Sequence, residues 1–476
     1  MTTLPRLRRF HRFLVVLPLL ACATPTFAVE VDGRQLSAWW GLPFAGMLLS
    51  IALLPLLTPR LWHHHFGKIA AAWALAFLLP FALHAGAGAA LGALVHAAVA
   101  EYVPFILLLT ALYVVAGGIH IRGNLHGTAG LNTALLALGA VLASFMGTTG
   151  ASMLMLRPLI RANDNRTHRT HVVIFFIFIV SNAGGSLTPL GDPPLFLGFL
   201  KGVDFFWTLR HILPETSFLI GALLLLFYLL DRWYFARAGE LRPADPTPDT
   251  RGIGIDGLAN LALLACIIAL VLLSGIWKTG AGFTLLGTEV GLPGLVRDLG
   301  LVAVIALSLA LTPAAVHVSN QFSWAPMQEV AKLFAGIFLT IVPVIAMLQA
   351  GLDGPFAPVV AAVTRPDGSP NPAMYFWASG LLSSFLDNAP TYLVFFNTAG
   401  GDAATLMGPL ASTLAAISAG SVFMGANSYI GNAPNLMVKA VAEDRGVPMP
   451  SFFGYMVWSC AVLLPLFALM TLIWFR

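Results

Sequence analysis

LASFMGTTGAS (142–152) and SNAGGSLTPLGDPPL (181–195) recur, altered but in register, as LSSFLDNAPTY (382–392) and MGANSYIGNAPN (424–435). A displacement of 240 positions puts Leu142, Ser144 and Phe145 on Leu382, Ser384 and Phe385. The same displacement puts Gly185, Gly191 and Pro194 on Gly425, Gly431 and Pro434. One offset serving two separate blocks implies an internal duplication. The stretches are apolar at their flanks and crowded with Gly, Pro, Asn, Ser, Thr and Asp at their centres. Gly and Pro interrupt the helical hydrogen-bond ladder. Backbone groups freed inside a bilayer must be satisfied by protein or by a water-lined cavity. Interrupted hydrophobic segments at matching places in two halves are the pattern that marks a carrier's substrate site.

Composition agrees with a bilayer setting. Of 476 residues, 58% are hydrophobic and 10% charged, against about 25% charged in soluble domains. The net charge of +4 does not indicate nucleic-acid binding, because much of the basic charge sits in loops beside apolar segments, as the positive-inside rule predicts. Cys22, Cys266 and Cys460 lie far apart in apolar surroundings, so they are read as small buried hydrophobes, neither metal ligands nor a disulfide framework. Walker, Rossmann and zinc signatures are missing from the sequence.

Residues 1–28 combine a basic start, an apolar run and TPTFA, which suits a cleaved signal peptide or an uncleaved first helix. Apolar stretches near 40–57, 67–86, 102–119 and 130–146 are each close to the length that crosses about 30 Å of hydrocarbon. The first repeat core (130–200) continues with a hairpin at 147–160 and a broken helix at 171–200, and a span at 212–230 completes a first half, 39–230. A polar loop at 231–256, with Arg232, Arg237, Arg242 and Arg251, reads as a cytoplasmic linker. The second half, 257–476, has spans at 257–276 and 327–350 and a doubtful short one at 300–313. Its repeat core (373–442) comprises a span at 373–386, a hairpin at 387–399 and a broken helix at 404–442, followed by a last span at 452–475. The expected fold is all-α and polytopic, with about 11–12 transmembrane helices.

Charge predicts orientation. Arg157, Arg161, Arg166 and Arg169 follow the first hairpin, whereas Asn397 to Met407 contains no Lys or Arg. The first hairpin should therefore open to the cytoplasm and the second to the outside, which makes the repeat inverted. Inversion needs an odd number of crossings between equivalent points. The candidates sum to an even number, and 300–313 is the one expected not to cross.

The hairpin tips and breaks carry the candidate ligands. Thr148 and Thr149 offer hydroxyls at the first tip. Ser181 and Asn182 lead into the first break, and Thr188, Gly191 and Asp192 close it. Asp387, Asn388 and Thr391 sit at the second tip, and Asn427, Ser428 and Asn432 line the second break. Gly184, Gly185, Gly191, Pro193, Pro194, Gly425, Gly431 and Pro434 would let the breaks form. Hard cations such as Na⁺ take oxygen ligands of these kinds. Ionisable residues at membrane depth are costly and mark function, which singles out Asp192 and Asp387. A carboxyl group there can hold a proton or a cation but not both well, and that competition is sufficient for exchange. The plainer alternative is that each Asp caps a half-helix. Glu329 and Lys332, three apart on one helical face, read as an interfacial ion pair, and Glu101 as an interfacial acid.

FLDNAP (385–390) resembles the hairpin of NhaD-type sodium/proton antiporters, and SNAGGSLTPLGDPP (181–194) resembles their Gly-Asp break. GANSYIGNAPN (425–435) is similar to the break of the arsenite and citrate branches of the ion transporter superfamily. The nearest likeness is to a bacterial group described as citrate transporters or sodium:proton antiporters, and it covers nearly the whole chain after residue 38. The resemblance implies a homodimeric secondary transporter whose transport domain moves past a scaffold, with Asp192 and Asp387 at acidic motif positions. The Ser-Asn-Thr pairs of the dicarboxylate branch are absent, and Ala389 stands where the antiporters have Val.

The expected function is exchange of Na⁺ or Li⁺ for H⁺ across the bacterial cytoplasmic membrane by alternating access, with no resident cofactor or metal and no enzymatic activity. The rival is a cation-coupled carrier of citrate or a dicarboxylate, since half-helix N-termini can face carboxylates.

Overall fold

The computed structural model describes residues 32–123, 125–241 and 252–476. The expected leader at 1–28 and the middle of the 231–256 loop, with Arg242 and Arg251, lie outside them. The protein is an all-α polytopic membrane protein. Among the described residues the strands form two short pairs: β1 (His120–Arg122) with β2 (Gly254–Asp256), and the hairpin β3 (Gly282–Leu285) with β4 (Thr288–Gly291). Nine helices among the described residues are long and apolar enough to cross a bilayer, or ten with one bent pair.

Three spans come first: α1 (Leu42–Leu57), α2 (Pro59–Ala85) and α3 (Ala87–Gly117). Next, α4 (Ala129–Met146) and α5 (Thr148–Ala162) form one hairpin. Thr128 caps the start of α4 by accepting from Leu131 N at 3.2 Å. Gly147, at φ +79°, turns the chain between the arms. That value lies in the left-handed region that only Gly enters freely. The far ends meet again, where Asn132 Nδ2 donates to Asn163 Oδ1 at 2.8 Å. The segment expected to span at 130–146 is α4, which is long and apolar enough to cross by length and composition and is also the entry arm of this hairpin. The second copy repeats this with α13 (Pro372–Phe385) and α14 (Asn388–Thr398), so 373–386 is also a hairpin arm.

The first broken helix is α6 (Thr170–Ile179), a 3-10 turn and α7 (Pro193–Leu200), followed by the span α8 (Leu213–Phe235). Then come α9 (Ala259–Ile276), α10 (Leu292–Leu311) and the bent pair α11 (Ala325–Thr340) and α12 (Val342–Gln349). The second broken helix is α15 (Ala411–Phe423), a 3-10 turn and α16 (Ala433–Asp444), and α17 (Phe452–Trp474) closes the chain.

These elements correct the crossing count. Residues 300–313 belong largely to α10, a 20-residue helix long enough to span, so the expectation against that crossing fails. The surplus crossing was 373–386. Five crossings now separate the hairpins (α6–α7, α8, α9, α10 and α11–α12), which is odd, and the hairpins open to opposite faces. Base contacts agree. The open end of the first hairpin meets the end of α8 through Asn132 and Asp231 at 2.9 Å. The open end of the second meets the end of α12 through Gln349 and Asn397 at 2.9 Å.

Packing divides by element type rather than by sequence half. One apolar core joins both hairpins, both broken helices, α8 and α17. A second joins α1, α3, α9, α10, α11 and α12, and reaches α7 and α14. Hydrocarbon supplies no hydrophobic drive between helices, so close packing and polar contacts hold such bodies together.

Several expectations about single residues change. Cys266 and Cys460 lie on exposed outer faces, not in a core. Glu101, expected as an interfacial acid, is buried and paired with Lys201 at the end of α7. Lys332 lies over the Phe66 ring, 5.1 Å from its centroid, and it forms no ion pair with Glu329. Arg166, read from sequence as a loop charge, is fully buried between Asp231 (2.7 Å) and Glu240 (3.1 Å).

Candidate functional site

Both tips and both breaks meet in the protein interior, and the duplication is visible in the atoms that fix them. Thr188 Oγ1 donates to the Ser144 carbonyl, and 240 positions later Ser428 Oγ donates to the Ser384 carbonyl. The same hydroxyls accept from Leu190 N and Ile430 N, each at 3.2 Å. Ser144 Oγ donates to Gly184 O at 2.6 Å, and Ser384 Oγ to Met424 O at 3.1 Å. Each break is thereby stitched to the entry arm of its own hairpin.

The glycines permit the crossing. A Cβ on Gly191 would lie 2.2 Å from the Gly185 carbonyl oxygen. A Cβ on Gly431 would lie 2.6 Å from the carbonyl oxygens of Gly425 and Ser383. Only a residue without a side chain lets the two limbs of each break approach so closely. Pro193 and Pro434 stand in the first turns of α7 and α16, where a missing N–H leaves no bond unmade.

Asp192 sits where these parts converge. It holds the cap position of α7 but makes no side-chain capping bond. Its carboxylate turns inward, about 2% exposed. Thr148 Oγ1, from the first tip, donates to Oδ1 at 2.9 Å. Asn388 Nδ2, from the second tip, donates to Oδ2. Asn432 Nδ2, from the second break, reaches Oδ1 at 3.3 Å. Both hairpins and the second break therefore grip a carboxylate carried by the first break. Among the described residues no cation pairs with it. Asn388 Oδ1 is buried and without a partner among the described residues, so an acceptor oxygen stands free beside the carboxylate.

The remaining candidates fall at different distances. Asp387 is half-buried, and its carboxylate accepts from Ala389 N at 3.4 Å, which matches the capping alternative. Asp387 and Thr149 line the same cavity as Asp192. Asn182 lies one contact further out: it accepts from Asn432 at 3.2 Å and donates to Asn435 Oδ1 at 2.8 Å. Ser181 pairs with Ser152 at 2.8 Å and offers its carbonyl to Asn432 at 3.2 Å. Thr391 bonds back to the Asp387 carbonyl at 3.0 Å. Asn427 donates to Ser384 Oγ at 2.9 Å, and its Oδ1 is buried without a partner among the described residues. Thr188, Ser428, Thr391 and Asn427 thus brace the tips and breaks; none of them touches the carboxylate. Sequence reasoning left out Tyr113, Phe334 and Met437, which wall the cavity. They are apolar or aromatic residues of other elements, and no motif marks them.

The cavity holds about 100 Å³, room for about three waters at ~30 Å³ each. Its polar lining comes from Thr148, Thr149, Asp192, Asp387, Asn432 and Tyr113, and among the described residues no Lys, Arg or His lines it. Four half-helices, α5, α7, α14 and α16, begin here and four others end here. The centre is therefore supplied both with backbone N–H groups, which support an ionised carboxylate, and with carbonyl oxygens, which suit a cation. No cluster of His, Cys, Asp and Glu able to hold a resident metal occurs among the described residues.

A family model described as "Putative citrate transport" matches residues 33–475. No curated protein matches the chain. The match spans nearly the whole sequence, and the chain belongs to this family of membrane transporters.

Proposed function

We propose that this member of the citrate transport family exchanges Na⁺, or Li⁺, for H⁺ across the bacterial cytoplasmic membrane, with Asp192 as the shared site. The supporting observation is a buried carboxylate held by both tips and the second break, with neither a cation opposite it nor a partner for the amide oxygen beside it among the described residues. An uncompensated buried charge is expensive, so the site favours an occupant of charge +1, either a proton or a small cation. Loaded with H⁺, Asp192 is neutral and Thr148, Asn388 and Asn432 keep it oriented. When Na⁺ arrives, the proton leaves and the carboxylate, the free Asn388 oxygen and nearby carbonyls become ligands. Each replacement moves one proton out for one ion in. Alternating access then follows if the hairpin body slides past the outer helices. Asp387, on the cavity wall, would assist entry. The Arg-rich end of the first hairpin would face the cytoplasm, and the protein would act as a homodimer.

A second reading is a cation-coupled carrier of citrate or a dicarboxylate, which the family's description favours. Against it, the central cavity offers two carboxylates and, among the described residues, no cationic side chain to a multiply charged anion. Everted vesicles separate the readings. A Na⁺-triggered collapse of the pH gradient, lost in Asp192→Asn, supports exchange. Uptake of labelled citrate with no such collapse overturns it in favour of the carrier.

A further inference from the structure

We infer that Glu215 is a second proton-binding residue, kept as a neutral carboxylic acid, and that it positions the break carrying Asp192. Glu215 lies in the first turn of α8, at the end remote from the opening of the first hairpin. About 4% of it is exposed, and its Oε2 is buried with no partner among the described residues. Among the described residues no cation forms an ion pair with it. A buried carboxylate left without a cation is expensive and takes up a proton instead.

The duplication supplies an independent observation. The displacement of 240 positions puts Glu215 on Tyr455 and Ser186 on Ala426. Tyr455 is buried in α17, and its hydroxyl donates to the Ala426 carbonyl in the second break at 2.8 Å. Ser459, one turn on, donates to the Asn427 carbonyl at 2.6 Å. Neutral hydroxyl donors thus tie the span after the second break to that break. The first copy keeps the contact between the same elements. Thr216 Oγ1, beside Glu215, meets Ser186 Oγ at 2.8 Å, and Thr208 Oγ1 donates to the Leu187 carbonyl at 2.9 Å. In the place of the phenol stands a carboxyl group. Once ionised it could only accept, and it would repel the carbonyls of the break. Protonated, it donates as the phenol does, and an apolar site can keep an acid neutral for that purpose. A carboxyl group is shorter than a phenol, so the acid reaches the turn through a water. A Cβ built on Gly185 would lie 3.1 Å from Asp192 Cβ, so a displacement of the turn at Ser186 is felt at Asp192.

The charges around Glu215 do not contest the proton. The 3-10 turn, α4, α15 and α17 contain no Asp, Glu, Lys, Arg or His. His171 of α6 bonds to Asp231 at the opposite end of α8, at 2.7 Å. The short helix Trp207–His211 brings Arg210, which is exposed on a different cavity, and His211. The His211 ring stacks on Trp207 at 4.3 Å, its Nδ1 lies 2.9 Å from the Trp207 carbonyl oxygen, and it acts on Glu215 through space. Arg476 follows α17, whose Trp474 packs on Phe218 at 5.5 Å.

The test is infrared difference spectroscopy of the purified full-length protein in detergent at neutral pH, first sodium-free and then with NaCl. The unmodified protein minus Glu215→Gln should show one carboxylic-acid C=O band that shifts in D₂O and persists when NaCl is added. The inference is overturned if that difference shows only carboxylate bands, or if the acid band vanishes with NaCl. The positioning role rests on the exchange reading and is read in everted vesicles. Glu215→Leu, which has no donor, should raise the half-maximal Na⁺ concentration about tenfold, and Glu215→Gln, which keeps one, about threefold. No shift in Glu215→Leu, or equal shifts in the two, overturns it. Gel filtration checks folding, and if Glu215→Leu does not fold, the infrared arm still decides. That arm involves no transport, so a failure of exchange leaves it readable, and a carboxylate spectrum for Glu215 leaves the exchange reading standing.

Discussion

Replacing Asp192 by Asn keeps the shape of the side chain and removes its charge, so the consequence can be worked from the contacts. Thr148, Asn388 and Asn432 all donate to this carboxylate. The new amide has one acceptor oxygen and one donor group, so a donor on Asn388 or on Thr148 and Asn432 must turn away. Hydrogen bonds to charged groups contribute about 1.5–3 kcal/mol each, although the folded protein recovers part of that when the introduced amide and its neighbours re-pair. The ion loses more. A unit charge about 4 Å from a carboxylate gains about 4 kcal/mol at an effective dielectric of ~20. Asp387 and the remaining oxygens retain some attraction. At about 1.4 kcal/mol per factor of ten, Na⁺ affinity should fall about 100- to 1,000-fold. Sodium-dependent quenching of a pH-gradient dye in everted vesicles, titrated with NaCl, reads this as a rightward shift or complete loss, while gel filtration and thermal unfolding stay close to the unmodified protein. A half-maximal Na⁺ concentration within threefold of the unmodified protein would refute the reasoning.

Asp387→Asn should act in the same assay but more weakly, by about tenfold, because among the described residues three side chains donate to the Asp192 carboxylate, whereas half-buried Asp387 is held by backbone N–H of its own helix start. Gly191→Ala drives a methyl group against the Gly185 carbonyl and should lower thermal stability by about 1–3 kcal/mol or block folding. Gly221→Ala, where a Cβ meets nothing within 4 Å, should be neutral or stabilise α8 by up to about 1 kcal/mol; equal unfolding temperatures for the two variants would contradict the packing of the break. Arg166→Gln leaves Asp231 and Glu240 buried without their shared cation and should destabilise by about 3–5 kcal/mol, read as a lower unfolding temperature in detergent. Cross-linking Glu101→Cys to Lys201→Cys, which replace paired residues, with a reducible bifunctional thiol reagent would pin α7 to α3, and exchange should stop and return with reductant; unimpaired exchange in the cross-linked protein would argue against sliding.

The duplication was legible because the constraints behind it are steric. Gly191 and Gly431 face carbonyl oxygens at distances no side chain allows, and prolines open the half-helices, so one register survives in the sequence. The hairpins were legible as to place and not as to extent. Hydropathy registers that 130–146 is apolar, but it cannot tell a helix that leaves the bilayer from one that turns back at Gly147. That ambiguity put the parity error on 300–313 when it belonged to 373–386. The ranking of the two acids also shifted. The register pairs Asp192 with Asn432 and Asp387 with Gly147, so the acids are not equivalents, and only the contacts show that Thr148, Asn388 and Asn432 all turn toward Asp192. Arg166 read as a loop charge because the groups that define it, the carboxylates of Asp231 and Glu240, lie far along the chain.

Proton release on ion binding tests the shared site most directly. Purified protein in weakly buffered, sodium-free solution is mixed with NaCl while a pH indicator is followed. One carboxyl serving both ions predicts close to one proton released per Na⁺ bound, release that saturates with the same midpoint as binding, and none from Asp192→Asn. Sodium binding without proton release, or unchanged release from Asp192→Asn, would contradict the account.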